Sequence, residues 1–206
     1  VNGVACIDTF TGFKFMAEKK DQLERAGLGK VIFAYEESYG YMMGDYVRDK
    51  DAVTAALVLT EMAAWYAGLG MTLYDALQAL YEKYGYYGEK TLNLVMPGLD
   101  GIEKMAALMA DLRAAPPADI GGTAVLVRKD YQDGTTFTCA TGERGTMELS
   151  GSNVLRYELA DGTSVIVRPS GTEPKVKVYI LAQGADRADC DEKLARYARW
   201  AESLKG

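Results

Sequence analysis

Arginine, serine, glycine and threonine gather in the run SVIVRPSGTEPKVKVYIL, residues 164–181. Alternating β-branched residues flank them, which predicts a hairpin with a polar tip. Pro169 and Pro174 lack an amide hydrogen, so the ladder must stop between them. Arg168 carries a planar fork that matches phosphate oxygens two at a time. Ser170 and Thr172 add hydroxyl donors, and Gly171 lets the backbone reach positive φ and approach a ligand closely. Successive amides in such a bend converge on an anion. This inventory suits a phosphate monoester. Serine, glycine, threonine and proline are also the ordinary residues of a plain turn.

A second group lies in YEESYGYMMGDYVRDKDA, residues 35–52. It follows an apolar run, so its polar residues fall at the C-terminal end of a strand, where α/β sheets bind ligands. Glu36 and Ser38 are spaced two apart and point the same way if extended. Such a pair suits neighbouring hydroxyls of a sugar, with Arg48 and Lys50 adding positive charge. A solvated turn ahead of a charged helix start accounts for the same residues. A third loop, TFTGFKF, sets Gly12 between Thr11 and Phe13. A helix N-terminal turn explains it equally well.

Composition narrows the choices. The 206 residues are 49% hydrophobic, enough for one large core or two small ones. The net charge of −6 and the lack of a long basic tract speak against nucleic acid as a partner. No apolar run approaches the roughly 18 residues of a membrane span. No secretory leader is visible, and Cys6, Cys139 and Cys190 lie too far apart for a metal-ligand pattern. The expectation is reduced thiols in the cytoplasm. The absence of histidine removes Ser-His-Asp chemistry, His-based zinc sites and imidazole acid/base work from this chain. The sequence opens on Val1 and runs at once into VACIDTF, which reads as a strand already under way and predicts a piece of a longer protein.

These loops need elements to hold them. Residues 4–7 read as a buried strand, MAEKKDQLERAG as a helix stopped by Gly27, and KVIFAYEES as a second buried strand. DAVTAALVLTEMAAWYAG is apolar nearly all round, which predicts a buried helix. Thr72 and Asp75 form a capping box for a helix carrying Leu73, Leu77, Leu80 and Tyr84. YGYYGEKTLNLVMPG has no helical period and several glycines, and it reads as a flexible junction, with domains at 1–90 and 91–206. Beyond it, Asp100 and Glu103 cap a helix with Ile102, Met105, Met109 and Leu112 on one face. TAVLVRKDY, TTFTCA, NVLRYEL and the two arms of the hairpin read as strands. A final helix to about Leu204 places Cys190, Leu194, Tyr197, Ala201 and Leu204 on one face. The order predicts an α/β segment, part of a mixed α/β sheet domain, then an α+β domain with an antiparallel sheet packed by helices.

Together TFTGFKF, YEESYGYMMGDYVRDKDA and VRPSGTEPKVKVY resemble the α-D-phosphohexomutases, the phosphoglucomutases and phosphomannomutases, in family order and across nearly the whole chain. The resemblance implies the later part of that family's third domain and all of its fourth, the latter TATA-binding-protein-like. It implies that Glu36 and Ser38 hold sugar hydroxyls, that Thr11 and Gly12 belong to a specificity loop, with Lys50 beside them, and that Arg168, Ser170, Gly171 and Thr172 cradle phosphate. It implies phosphoryl transfer between the C1 and C6 oxygens of a hexose through a phosphoserine and glucose 1,6-bisphosphate, with Mg2+. Neither the serine loop nor the Asp-rich magnesium loop occurs in this sequence, so the nucleophile and metal would sit in missing N-terminal domains of the same polypeptide, and the chain alone would be inactive. Glucose, mannose, pentose and amino-sugar phosphates remain open as substrates, as does a non-catalytic sugar-phosphate-binding module.

Overall fold

The structure is a computed structural model, described here over residues 3–36, 39–44 and 46–205. The chain divides into two compact units, 1–79 and 80–206.

The first unit begins with an extended stretch and helix α1 (Phe13–Arg25). Gly12 precedes α1 at φ 124°, a left-handed value that favours glycine. Phe13, Ala17 and Lys20 face inward, and the chain leaves α1 through Gly27 at φ 67°. Strands β1 (Ala34–Tyr35) and β2 (Tyr41–Met42) pair as a short antiparallel hairpin. Helix α2 (Ala52–Gly68) starts at Asp51, whose carboxylate accepts the Val53 amide at 2.9 Å. Helix α3 (Leu73–Tyr84) has the expected reciprocal cap: Thr72 Oγ1 accepts the Asp75 amide, and Asp75 Oδ2 accepts the Thr72 amide. The division between the units falls within α3.

Three expectations for this unit fail. Residues 4–7 form no strand, and Val4 and Ile7 are exposed. The run from Lys30 shortens to the two paired residues of β1, with Ile32 and Phe33 exposed. Helix α2 buries none of its residues; Val53 is 79% and Trp65 62% accessible. The common cause is pairing. An apolar run becomes a strand, or a helix becomes a core helix, only when other elements cover it. The described residues of this unit supply one two-stranded ribbon. An apolar face of this kind promotes association. The 206-residue chain is therefore expected to self-associate, and Leu57→Glu with Trp65→Glu to suppress this. Sedimentation at rising concentration checks it; a constant monomer mass for the unaltered chain would contradict it.

The second unit is built on one antiparallel sheet. Its strands are β3 (Tyr86–Val95), β4 (Asp119–Ile120), β5 (Thr123–Asp130), β6 (Thr135–Thr138), β7 (Glu143–Thr146), β8 (Leu155–Leu159), β9 (Ser164–Pro169) and β10 (Lys175–Gly184). The order is β3-β10-β9-β8-β5-β6-β7, with β4 beside β5. Alternation along β8, where Leu155, Tyr157 and Leu159 are buried, gives the sheet one apolar face. Helices α4 (Gly101–Ala114) and α5 (Arg187–Ser203) supply the rest of the core: Met105, Met109 and Leu112 from one, Tyr197, Ala198 and Ala201 from the other. The α5 face matches its sequence period. On α4, Ile102 is instead exposed, and Asp100 caps no amide but pairs with Lys104 at 2.9 Å.

The stretch expected to be a flexible junction is strand β3. All ten of its residues pair with β10, from Tyr86↔Gly184 to Val95↔Lys175. A division after residue 90 would fall within this strand, while the two compact units divide before it, at 79/80. Gly88 sits in it because a Cβ there would fall 2.7 Å from Cys190 Sγ on α5.

Arg113 ties the end of α4 to the sheet. Its Nε donates to Asp130 Oδ2 at 2.7 Å and its Nη2 to Asp130 Oδ1 at 3.1 Å and Asn153 Oδ1 at 2.7 Å. Burial pushes the Asp130 carboxyl up, but Arg113 and the Gln132 amide outweigh it and hold the pKa below the usual value. A carboxylate held low in the folded state stabilises fully above its unfolded pKa of about 3.9, and the effect is lost as pH falls through the folded value. Asp130→Asn should thus lower the Tm at pH 7, with the deficit shrinking below about pH 4. A deficit equal at pH 7 and pH 3 would contradict this.

Candidate functional site

The hairpin tip lies between β9 and β10. Arg168 is opposite Lys177, and Pro169 opposite Val176, where the ladder ends as the prolines require. The Ser170 amide donates to Lys175 O at 2.8 Å and closes the tip, and the Thr172 amide turns to Ser170 Oγ at 3.4 Å. Two amides expected to face a ligand are therefore engaged within the loop. Gly171 also departs from expectation. Its φ is not in the left-handed region, and a Cβ there would meet open space. No neighbour among the described residues and no turn geometry therefore requires glycine at this position.

The charge at the tip is positive. Lys175 pairs with Glu173 at 2.5 Å, and the hydrogen bond from Lys175 holds the Glu173 carboxyl below its usual range. Among the described residues no carboxylate lies within ion-pair distance of Arg168 or Lys177. Lys177 is the residue that sequence reasoning passed over. Its signal was the alternation in KVKVY, which puts it on the face of Arg168. The loop is braced from behind. Pro174 O accepts the Met96 amide at 2.8 Å, and Gly101 at the start of α4 packs against Pro174. A hollow of about 330 Å³ separates Ile102, Met105 and Ala106 of α4 from Pro169, Ser170 and Gly171.

In the first unit, Phe13 gathers the other expected residues. Lys50 Nζ stands 5.5 Å from the centre of its ring, Gly12 precedes it, and Gly40 lies so close that a Cβ would be 2.7 Å from the ring and 3.3 Å from Glu36 Oε2. Thr11 and Glu36 line one hollow of about 780 Å³. Lys50 also pairs with Asp49, and Arg48 with Asp21. Phe13 and Gly40 were not singled out from sequence; an aromatic after Gly12 and a glycine four residues past Glu36 were the available signal. Ser38 lies outside the described residues.

The described residues do not make a magnesium site. No three acidic or cysteine side chains come together among them. Among them, too, no single helix is long and apolar enough to cross a membrane.

A sheet packed by helices with a cationic hairpin tip, following an α/β segment with an acidic turn, defines a class. Residues 1–84 match the family described as phosphoglucomutase/phosphomannomutase, alpha/beta/alpha domain III, and residues 92–196 match its C-terminal domain. The chain belongs to the phosphoglucomutase/phosphomannomutase family. Phosphoglucomutases of Staphylococcus aureus are similar to it: that of strain N315 is 34% identical over 193 residues, and that of strain MSSA476 33%. Both alignments cover 94% of this chain and 34% of the relative, so the chain spans about a third of the length of these relatives. Among solved structures, the open form of the exocytosis-sensitive phosphoprotein pp63/parafusin, a phosphoglucomutase from Paramecium, shares the fold with TM-score 0.63 at 17% identity, over 99% of this chain and 34% of that one.

Proposed function

We propose that this chain is the substrate-holding C-terminal part of a cytoplasmic phosphohexomutase that interconverts glucose 1-phosphate and glucose 6-phosphate. One observation carries the reading: Arg168 and Lys177 lie side by side at a hairpin tip that also offers Ser170 and Thr172, and neither cation has a carboxylate partner among the described residues. Such a tip suits a dianion. Arg168, Ser170, Gly171, Thr172 and Lys177 hold the phosphate that is not reacting. Glu36 accepts from and Ser38 donates to sugar hydroxyls, and Thr11, Gly12 and Lys50 belong to the same sugar-recognition loops. For Ser38 the support is the family resemblance alone. Binding energy from the remote phosphate then orients the reacting end of the sugar. The phosphoserine, Mg2+ and the glucose 1,6-bisphosphate intermediate belong to the rest of the polypeptide.

Two measurements test this. The isolated chain should show no mutase activity, because covalent phosphoryl transfer needs an activated nucleophile and charge neutralisation at the moving group. The complete polypeptide should turn over glucose 1-phosphate faster than mannose 1-phosphate at equal concentration. Activity of the isolated chain above contaminant controls would overturn the first statement, and a mannose preference the second.

A further inference from the structure

A file of side chains crosses the sheet away from the phosphate loop. Arg144 on β7 is opposite Phe137 on β6, Phe137 opposite Arg128 on β5, and Arg128 opposite Tyr157 on β8. Residues paired in this way share one face of an antiparallel sheet. It is the core face, because Tyr157 is buried and its next partner, Val165, is too. Arg168 lies three residues beyond Val165 on β9, on the other face.

The file holds more donors than acceptors, and its one hydroxyl oxygen, that of Tyr157, takes no hydrogen bond. The Arg128 guanidinium is 4.2 Å from the centre of the Phe137 ring and that of Arg144 is 5.6 Å from it. The ring attracts both cations but accepts no strong hydrogen bond. Among the described residues neither arginine has a carboxylate within ion-pair distance. Arg128 Nε is buried without an acceptor, and so is the Tyr157 hydroxyl on a side chain only 2% accessible. Burial raises the Tyr157 pKa, so the phenol stays protonated and remains a donor. Asp130, the acid whose charge reaches Tyr157, is already engaged by Arg113 and the Gln132 amide. Buried donors without acceptors are costly and rare in folded proteins.

We propose that Arg128, Arg144 and Tyr157 form a second oxyanion site, on the opposite face of the sheet from Arg168, that takes a phosphate, sulfate or carboxylate group. The ligand is acceptor-only and small. Arg144, at the exposed end of the file, meets it first, and Arg128 and Tyr157 supply the donors behind. Its source is either a free inorganic anion or the phosphoryl group of a sugar phosphate, and the experiment separates them.

The experiment is a titration of the chain with inorganic phosphate and, separately, with glucose 6-phosphate, followed by NMR at the Nε–H groups of Arg128 and Arg144. The Arg168→Ala background removes the phosphate loop, so failure of this site and failure of the loop reading are seen separately. The expected result is saturable shifts at both groups in the unaltered chain and in Arg168→Ala alike. Tighter saturation by one titrant names the source. Arg144→Gln should weaken the binding about tenfold, and Tyr157→Phe a few-fold. Three results would overturn the proposal: drift that sodium chloride reproduces at equal ionic strength, shifts that vanish in Arg168→Ala, or full affinity in Arg144→Gln.

Discussion

Arg168→Ala in the complete polypeptide is expected to lower kcat/KM for the sugar phosphate by roughly 10- to 100-fold, the range set by one or two charge-assisted hydrogen bonds. The guanidinium has no carboxylate partner among the described residues, so its removal relieves no buried acid and costs little stability. The loss should fall on substrate use. Arg168→Lys should recover only part of it, because a point charge cannot span two phosphate oxygens. Lys177→Gln should give a smaller loss in the same direction. Steady-state kinetics on the three variants, with Tm measured alongside, checks all of this. Unchanged kcat/KM in Arg168→Ala at unchanged Tm would reduce the loop to a turn.

Gly101→Ala is expected to destabilise the second unit by about 1–3 kcal/mol, the usual cost of overpacking. The sign makes the test informative. Inside a helix, alanine is favoured over glycine by about 1 kcal/mol, so propensity alone predicts a gain. Here the added Cβ would stand 2.3 Å from Met96 O and 2.9 Å from Pro174 Cβ, closer than real contacts allow. One of the neighbours is backbone and cannot swing away. Relief requires moving α4 or the strand end that carries Met96, and Pro174 moves with it through the Met96 amide. Urea titration should show a lower midpoint, and phosphate should shift residues 168–172 at higher concentration than in the unaltered chain. A raised midpoint would show that the helix absorbs the methyl without strain.

What the sequence disclosed was local. Residues of α5 at helical spacing face the core, because a terminal amphipathic helix on a sheet has one way to bury them. The Thr72–Asp75 cap is written in two residues and forms as written. The hairpin tip was legible because proline and arginine carry their constraints with them. What failed was whatever depends on distant neighbours. The glycines of 85–98 suggested a hinge, yet Gly88 is small because Cys190 and Leu194 press on it from α5. The apolar character of α2 suggested burial, and burial needs covering layers that the described residues of its unit do not supply. At the site, the KVKVY alternation hinted at Lys177 but only the register sets it opposite Arg168, and the φ of Gly171 is not written in its neighbours.

The pairing of β3 with β10 also sets an order of events during synthesis. Tyr86–Val95 leaves the ribosome ahead of the rest of its unit, with its polar backbone groups unmatched, and its partner Lys175–Gly184 follows only after most of the unit has emerged. Meanwhile β5 to β9 can pair with near neighbours in sequence, which closes small loops and proceeds fast. The sheet therefore grows from the β5–β6 side and is sealed last at β3. Until that moment β10 has no companion on one side, and the phosphate loop at its root rests on a half-finished strand. A nascent chain stalled before Arg168 would hold β5 to β8 and no phosphate loop, and it would offer β3 to any other strand in reach.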